Sequence, residues 1–227
     1  MTPPVVLTIA GTDSGGGAGI AADLATFAAL GVHGACVVTA VTAQDTVAVR
    51  GIHTVPLAVV AAQLDAVLTD LDPAVVKTGM LGTPEAVALV AERCRGRTLV
   101  VDPVLRASTG ASLADAAVRD AYRELLLPVA SVITPNQDEH AALGRPDHPG
   151  LVLTAGGDIP TTNDHGTGCT HASALAAYLA LGHDLPDAAQ RADAFVRRQL
   201  LIGQDWELGR GRGPVAHVHP TQPRSTA

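Results

Sequence analysis

Short apolar runs alternate with longer amphipathic segments along most of the chain. The runs predict strands at 5–10, 36–40, 74–78, 98–101, 131–133 and 151–154, with a looser extended stretch at 47–55. Between them, apolar residues recur about every 3.6 positions and predict helices at 18–30, 58–71, 84–93, 115–127, 137–143, 168–181 and 185–202. Strands that are apolar on both faces and separated by helices favour a mostly parallel sheet covered on both sides. We therefore expect one three-layer α/β domain over 1–227, with an irregular tail at 209–227.

Polar and small residues follow several of the predicted strands directly. They are Gly11 to Asp13, Thr42 to Gln44, Gly79 and Met80, Asp102 and Pro103, and Thr134 to Asn136. In open parallel sheets, ligands bind beyond the carboxyl ends of the strands. The pattern therefore predicts one ligand site assembled from these loops.

Two glycine-rich segments each lead into a helix. The glycine-rich loop (residues 11–19) lacks the spacing of a dinucleotide fingerprint, and its alternative interpretation is a flexible surface loop. The anion turn (residues 164–170, DHGTGCT) opens an Ala/Leu-rich helix, whose free N–H groups and positive pole favour a phosphoryl group. Cys169 falls in the first helical turn, where we expect the dipole to lower its thiol pKa. The alternative is a helix start with a small buried cysteine.

Oxygen-bearing side chains suggest a magnesium site. Asp102 directly follows a strand, and Asn136 and Glu139 share a face at the start of a helix. Such oxygens suit Mg²⁺, which binds few protein carboxylates and keeps waters and phosphates. For Glu139 alone, the pattern favours stabilisation of the helix N-terminus, whereas together with Asp102 and the anion turn it favours a metal–phosphate role. Gln44 carries the amide pair that reads a ring nitrogen and an exocyclic amine, although a helix-cap or core role suits it as well.

Composition removes several function classes. A net charge of −7 and five aromatic residues disfavour nucleic acid binding, and no run reaches the ~20 apolar residues of a membrane span. Lys77 is the only lysine, which excludes a Walker A loop. Three cysteines without paired spacing argue against a disulfide framework or a zinc site, so we expect a cytoplasmic protein without a secretion signal.

Seven ordered motifs together resemble the hydroxymethylpyrimidine/phosphomethylpyrimidine kinases of thiamine biosynthesis, in the ribokinase superfamily. They are AGTDSGGGAGI at 10–20, VTAVTAQ at 38–44, KTGM at 77–80, DPV at 102–104, TPN at 134–136, HGTGCT at 165–170 and GPV at 213–215. The resemblance covers about 5–219. It implies a ribokinase-like fold, a homodimer, and Mg-ATP-dependent phosphorylation of 4-amino-5-hydroxymethyl-2-methylpyrimidine and its monophosphate.

The same resemblance implies roles for individual residues. Gln44 would read the aminopyrimidine edge, and the substrate site would include Gly11, Asp23, Met80 and Val104. Asp102 and Glu139 would organise Mg²⁺ and phosphate. The nucleotide would contact Asn136, Gly156 and Thr167. The anion hole would consist of Gly166, Thr167 and Gly168, and Cys169 would be the base for the substrate hydroxyl.

The chain departs from the family pattern on the nucleotide side. Only 29 residues separate Asn136 from Gly166, and Ala155 and Asp158 stand where the family usually has Lys and His. Arg106 is unusual after the DPV motif, and Arg106 or His165 could supply the missing donor. Two alternatives therefore stay open: a pyrimidine-binding protein that has lost phosphoryl transfer, and a kinase of a related ring such as a pyridoxine-type vitamer.

Overall fold

The computed structural model describes residues 2–154 and 159–218. Five parallel strands form the central sheet in the order β2-β1-β5-β6-β7. Two further strands, β3 and β4, pair antiparallel in a separate small sheet. The strand bounds are β1 Val5–Ala10, β2 His33–Val38, β3 Ala40–Gln44, β4 Val49–Thr54, β5 Val75–Thr78, β6 Leu99–Val101 and β7 Val132–Ile133.

The helices lie between the strands and after them. Their bounds are α1 Gly19–Ala29, α2 Leu57–Asp70, α3 Pro84–Arg93, α4 Ala116–Ala121, α5 Gln137–Ala142, α6 Thr167–Ala180 and α7 Leu185–Gly203. Local chemistry fixes several starts: Thr83 and Asp115 each accept an N–H from the first turn of their helix. None of the helices in the described ranges is both long and apolar enough to cross a membrane.

Each face of the sheet packs against its own layer of helices. Along β1, Leu7 and Ile9 join a core cluster with residues of α2, α3 and α4, whereas Val6 joins a second cluster with residues of α1, α6 and α7. Side chains alternate across a strand, so a strand buried on both faces supplies both clusters. The predicted three-layer α/β sandwich with a mostly parallel sheet is confirmed.

Three predicted segments differ from the structure. The single strand expected at 36–40 is divided at Thr39: β2 pairs with β1, and β3 leaves to pair with β4. The helix expected at 115–127 ends after Ala121 and continues as a π-helical turn and a 3₁₀ turn that contains Pro128, which cannot donate a helical hydrogen bond. The strand expected at 151–154 makes only isolated bridges, from Leu151 to Ile133 and from Thr154 to Asn136.

Candidate active site

A cavity of about 560 Å³ lies where the carboxyl ends of β1, β5, β6 and β7 meet the start of α6. The structure brings most of the predicted site residues into its wall. These are Gly11, Gln44, Met80, Asp102, Val104, Asn136, Glu139, Gly166, Thr167, Gly168 and Cys169. Of the remaining two, Gly156 lies outside the described residues, and Asp23 is buried beneath the cavity.

The glycine-rich loop approaches the cavity closely because Gly11 has no side chain. A Cβ at Gly11 would overlap the end of the Met80 side chain. The loop continues to Asp13, whose carboxylate accepts N–H groups from Gly15 at 2.8 Å and Ala18 at 3.0 Å. The loop is therefore folded around Asp13, which disagrees with the alternative of a flexible surface loop.

Asp13 also joins this loop to the anion turn. His165 Nε2 lies 2.7 Å from Asp13 Oδ2, and both side chains are buried. Burial alone would raise the pKa of Asp13, but the hydrogen bonds from His165, Gly15 and Ala18 outweigh burial and lower it. Because the Asp13 carboxylate only accepts hydrogen bonds, His165 Nε2 carries the proton.

This arrangement leaves the Gln44 amide available to a ligand. Gln44 Nε2 lies 3.3 Å from His165 Nε2, but a ring nitrogen that carries a proton and donates it to Asp13 cannot accept a hydrogen bond from the Gln44 amide. Among the described residues, the Gln44 side chain has no other hydrogen-bond partner. Its carbonyl and amide groups therefore face the cavity with their capacity unused.

Gly166 shapes the anion turn, with φ at +86° in the left-handed region. A Cβ there would overlap the backbone oxygen of Gly17, so the turn and the glycine-rich loop pack too closely for any side chain. Within the described residues, the N–H groups of Gly168 and Cys169 have no hydrogen-bond acceptor. They form the open part of the cradle at the N-terminus of α6.

Thr167 is less available than we expected. Its N–H and its hydroxyl both donate to the backbone oxygen of Asp164, at 3.2 and 2.6 Å. Both groups stabilise the turn itself, so the Thr167 donors expected in the anion hole are engaged by Asp164, and the nucleotide contact of Thr167 stays a prediction.

The expectation of a lowered thiol pKa at Cys169 is wrong. Burial is the largest effect and, together with the carboxylates of Asp102 and Asp23, it raises the pKa of the Cys169 thiol to about 12. The Lys77 ammonium and the N–H of Gly19 act in the opposite direction and offset only part of this. The charge of nearby side chains and desolvation outweigh the helix dipole, which is worth ~0.3–1 kcal/mol.

Asp23 is also corrected, from a substrate contact to a support beneath the cavity. Its carboxylate is fully buried and accepts hydrogen bonds from Thr8 at 2.6 Å, Ser173 at 2.7 Å, and Lys77 at 2.9 and 3.0 Å. Burial alone would lower the pKa of Lys77, but the carboxylates of Asp23 and Asp102 and the hydrogen bond to Asp23 raise it, so Lys77 stays protonated. These partners satisfy Asp23 without any ligand.

Asp102 and Glu139 form the acidic wall of the cavity. Asp102 Oδ2 is buried without a hydrogen-bond partner in the described structure, and Lys77 Nζ lies 3.8 Å away. Burial and the neighbouring carboxylates of Glu139 and Asp23 raise the pKa of Asp102 to about 7, despite the charge of Lys77. Burial also raises the pKa of Glu139.

The helix-capping explanation for Glu139 is realised in the structure. Asn136 accepts the Glu139 N–H at 2.8 Å, and Glu139 accepts the Asn136 N–H at 3.0 Å, which is a capping box. The described residues contain no group of three or more His, Cys, Asp or Glu side chains placed to hold a metal ion. Asp102 and Glu139 could therefore hold a cation only together with waters or ligand oxygens.

Part of the cavity wall comes from residues that no sequence motif indicated. Ser108, Ser112 and Arg119 line it together with Arg106, which the sequence flagged only as a departure from the family pattern. Arg106, Ser108 and Ser112 follow the DPV motif closely in the chain, and this position was the available signal. Lys77 was noted for its rarity, but its partner is more than fifty positions away in the chain and no local pattern points to it.

Comparisons with known proteins agree with this architecture. The family model described as "Phosphomethylpyrimidine kinase" matches residues 13–150 and 147–216. The hydroxymethylpyrimidine/phosphomethylpyrimidine kinase of Rhizobium meliloti (strain 1021) is 41% identical, with 95% of this chain and 97% of that protein covered.

Two solved structures are also similar. The phosphomethylpyrimidine kinase of Clostridium difficile 630 has a TM-score of 0.74 and 31% identity, over 86% of this chain and 98% of that one. The pyridoxal kinase of Staphylococcus aureus, in complex with AMP-PCP and pyridoxal, has a TM-score of 0.81 and 28% identity, over 96% and 94%. From the ordered motifs, the ribokinase-like fold and these matches, we conclude that the chain belongs to the phosphomethylpyrimidine kinase family.

Proposed function

We propose that this protein transfers a phosphoryl group from Mg-ATP to 4-amino-5-hydroxymethyl-2-methylpyrimidine, to its monophosphate, or to both, in thiamine biosynthesis. The observation that carries the proposal is that one cavity contains both Gln44 and the free N–H groups at the start of α6. An amide that can bind a ring and an anion cradle in the same cavity suit the transfer of a phosphoryl group from a nucleotide to a heterocyclic alcohol. The relatives that share the family carry this activity in their names.

The ring end of the cavity is built for a flat polar heterocycle. The unused Gln44 amide can pair with a ring nitrogen and the exocyclic amine of an aminopyrimidine. Met80 offers a polarizable apolar contact, and the absence of a side chain at Gly11 provides the space for it. Together they orient the ring so that its hydroxymethyl group points toward the anion turn.

The phosphoryl end supplies electrostatic stabilisation. The N–H groups of Gly168 and Cys169 and the positive end of α6 meet the charge on the equatorial oxygens of the transferring group. Preorganised donors of this kind typically contribute ~10²–10³-fold each, because they need no rearrangement during the reaction. In phosphoryl transfer, positioning and charge stabilisation supply most of the rate.

The acidic wall fits a magnesium ion bound together with phosphates. Asp102 Oδ2 is a buried oxygen without a partner, and hard oxygen ligands are those that Mg²⁺ prefers. Glu139 lies on the same wall, and only these two carboxylates would hold the ion, with waters and phosphate oxygens completing the shell. When bound, Mg²⁺ neutralises phosphate charge and aligns the phosphates.

Cys169 is the proposed acceptor of the hydroxyl proton, but the raised thiol pKa limits this role at neutral pH. General-base catalysis typically contributes ~10²–10⁴-fold when the base is correctly protonated. A thiol with a pKa of about 12 is almost entirely protonated at neutral pH. We therefore assign the larger share of catalysis to the N–H cradle, and a share that grows with pH to Cys169.

The test is a direct assay of the purified protein with ATP and Mg²⁺. Three acceptors are supplied separately: the hydroxymethylpyrimidine, its monophosphate and pyridoxal. We expect a phosphorylated product from at least one pyrimidine. Cys169→Ala should lower kcat far more than it weakens pyrimidine binding. No product from either pyrimidine would defeat the proposal, and an equal loss of kcat and affinity would remove the role of the thiol.

Calorimetry distinguishes the proposed kinase from a pyrimidine-binding protein without kinase activity. Such a protein would bind the pyrimidine but show no measurable ATP binding. That alternative rests on the short span between Asn136 and Gly166. The two matches to the family model overlap within this span, at residues 147–150. The pyridoxal acceptor tests the related-ring alternative, which the similarity to pyridoxal kinases favours as a second activity.

We also propose that the protein is a homodimer. Val41 on β3 and Ile52 on β4 are exposed at 50% and 45%, and large apolar side chains on a small sheet favour burial against a partner. Light scattering after size exclusion would report the mass, and a monomer across the micromolar range would contradict the proposal. The expected cytoplasmic location stays a prediction from the three cysteines.

A further inference from the structure

A short hairpin-like loop covers one side of the cavity. This flap (residues 105–113) begins directly after the DPV motif and closes on itself. The Leu113 N–H donates to the Leu105 oxygen at 2.9 Å, and the Ala107 N–H donates to the Ala111 oxygen at 2.9 Å. A bridge between Arg106 and Ser112 lies between these two bonds. The pairing fixes the flap backbone, and Arg106, Ser108 and Ser112 line the cavity.

The flap is also connected to the acidic wall. The Leu105 N–H donates to Glu139 Oε1 at 3.4 Å, so the first residue of the flap touches the carboxylate proposed to organise Mg²⁺. Arg106 is the next residue in the chain. The Arg106 side chain therefore begins one residue after the contact with Glu139, next to the region where we expect the phosphate oxygens of the ligands.

The charges around the cavity make Arg106 distinctive. Acidic side chains dominate the wall: Asp13, Asp102, Asp138, Glu139 and Asp164. Polyphosphate ligands are themselves anionic, so their binding needs positive charge from the protein as well as from Mg²⁺. The only lysine is buried in its pair with Asp23 and cannot reach a ligand.

The other arginines near the cavity, and His165, each have a partner within the described residues. Arg119 donates to the Ala114 oxygen at 3.3 Å, Arg212 pairs with Asp164, and His165 pairs with Asp13. Arg106 is exposed, and within the described residues its side chain makes no hydrogen bond or ion pair. A guanidinium offers a rigid fork of donors that matches phosphate oxygens, and the hydroxyl of Ser108 lies on the same flap.

We infer that Arg106 is a specificity residue that binds a phosphate group of the ligands through its guanidinium. This inference rests on the proposed function. The phosphate has two possible sources with the same chemistry, the monophosphate of the pyrimidine acceptor and the terminal phosphates of the nucleotide. Arg106 holds this phosphate from the flap, which lines the same cavity as the N–H cradle of α6.

The experiment compares wild type, Arg106→Gln and Arg106→Lys with two acceptors, the neutral pyrimidine alcohol and its monophosphate. KM for each acceptor and for ATP is measured at low and high salt. Arg106→Gln should raise KM for the phosphate-bearing ligand about 10- to 100-fold, since charge-assisted hydrogen bonds are lost. Arg106→Lys should recover part of this loss. The difference between variant and wild type should shrink as salt increases.

The two sources give different results. If the acceptor phosphate is the ligand, only KM for the pyrimidine monophosphate rises. If the nucleotide phosphate is the ligand, KM for ATP rises with both acceptors. Arg95→Gln is the matched control, because Arg95 is an exposed arginine outside the cavity that also lacks an ion pair in the described structure. Its kinetic constants should equal those of wild type.

Arg106 has no such role if Arg106→Gln leaves KM for the pyrimidine monophosphate and KM for ATP within about twofold of wild type. The same holds if KM for the neutral alcohol rises as much as KM for the phosphate-bearing ligand. Failure of the proposed function is a separate result, since wild type itself would then form no product. In that event, calorimetric titration of wild type and Arg106→Gln with ATP and with the pyrimidine monophosphate makes the same comparison without turnover. Equal affinities would overturn the inference there as well.

Discussion

Lys77 Nζ lies 2.9 and 3.0 Å from the two carboxylate oxygens of Asp23, and both side chains are fully buried. Thr8 on β1 and Ser173 on α6 complete the shell of Asp23. The ion pair thus joins two strands of the sheet, β1 and β5, to the two helices α1 and α6. Since Ser173 is one helical turn beyond Cys169, the pair also holds the first turns of α6 beneath the cavity.

Removing the ammonium should destabilise the protein strongly. Lys77→Met leaves Asp23 charged and buried without its counter-ion, which typically costs about 3–5 kcal/mol. Urea denaturation should show this loss as a lower midpoint. Replacing the carboxylate as well, in Lys77→Met with Asp23→Asn, should recover part of it, because the uncompensated charge is gone. A single variant that unfolds at the wild-type midpoint would show that the pair does not stabilise the fold.

Two glycines of the anion turn should respond differently to alanine. At Gly166, a Cβ would overlap the Gly17 backbone and φ is positive, so Gly166→Ala should lower both stability and activity. At Gly168, a Cβ meets no atom within 4 Å, and alanine is the better helix former by about 1 kcal/mol. Gly168→Ala should therefore fold at least as stably as wild type. It should still lose activity, because the added methyl group lies beside the free N–H groups of the cradle.

Thermal unfolding and the kinase assay distinguish the two variants. A Gly168→Ala protein with full activity would show that no ligand approaches this N–H closely. A Gly166→Ala protein of wild-type stability would contradict the tight packing between the turn and the glycine-rich loop.

Cys169 should react slowly with alkylating agents in the ligand-free protein. An ordinary cysteine has a pKa of about 8.5, and a pKa of about 12 lowers the thiolate fraction at neutral pH by about three orders of magnitude. The greater nucleophilicity of the more basic thiolate offsets part of this. Mass spectrometry of the Cys169 peptide after iodoacetamide treatment should give a rate at least about tenfold below that of the protein unfolded in urea. The rate should rise with pH through neutrality. A faster reaction in the folded protein would restore the helix-dipole prediction.

The carboxyl group of Asp102 should make stability depend on pH. Its pKa is about 7 in the folded protein and about 3.9 when unfolded, so the folded state binds more protons between these values. Its contribution to the free energy of unfolding therefore falls as the pH rises from about 4 to about 7. Asp102→Asn removes this effect, so its stability relative to wild type should be higher at about pH 8 than at about pH 4.5.

Denaturation of wild type and Asp102→Asn at both pH values measures this difference. The exposed substitution Asp147→Asn is the control and should show no such change between the two conditions. A relative stability that is the same at both pH values, or that falls with increasing pH, would contradict the assignment.

Local pattern was sufficient to predict most of the framework. The bounds of α3 at Pro84–Arg93 agree with the prediction at both ends, because proline at the first position and the apolar spacing act within the segment itself. The convergence of Gly11, Asp102 and Asn136 also followed from strand order, since parallel strands end at one edge.

The remaining properties depend on residues that are distant in the chain. The thiol pKa of Cys169 is set by burial and by Asp102 and Asp23, which lie far from it in the sequence, whereas the dipole argument used only its own helix. Asp23 was assigned to the substrate site because it matches a family position there, but its partner is Lys77 on another element. The division of 36–40 into two strands likewise depends on distant residues, because its first part pairs with β1 and its last residue pairs with β4.

The burial of the only lysine has a practical consequence for labelling. Reagents that acylate ε-amino groups find none accessible on the folded chain, because Lys77 Nζ is enclosed by Asp23 and Asp102. Acylation at this position requires the sheet and the helices above it to separate. Incorporation of such a label therefore counts molecules that have opened globally, and a side-chain amine coupling will attach no dye or surface to this protein while it remains native.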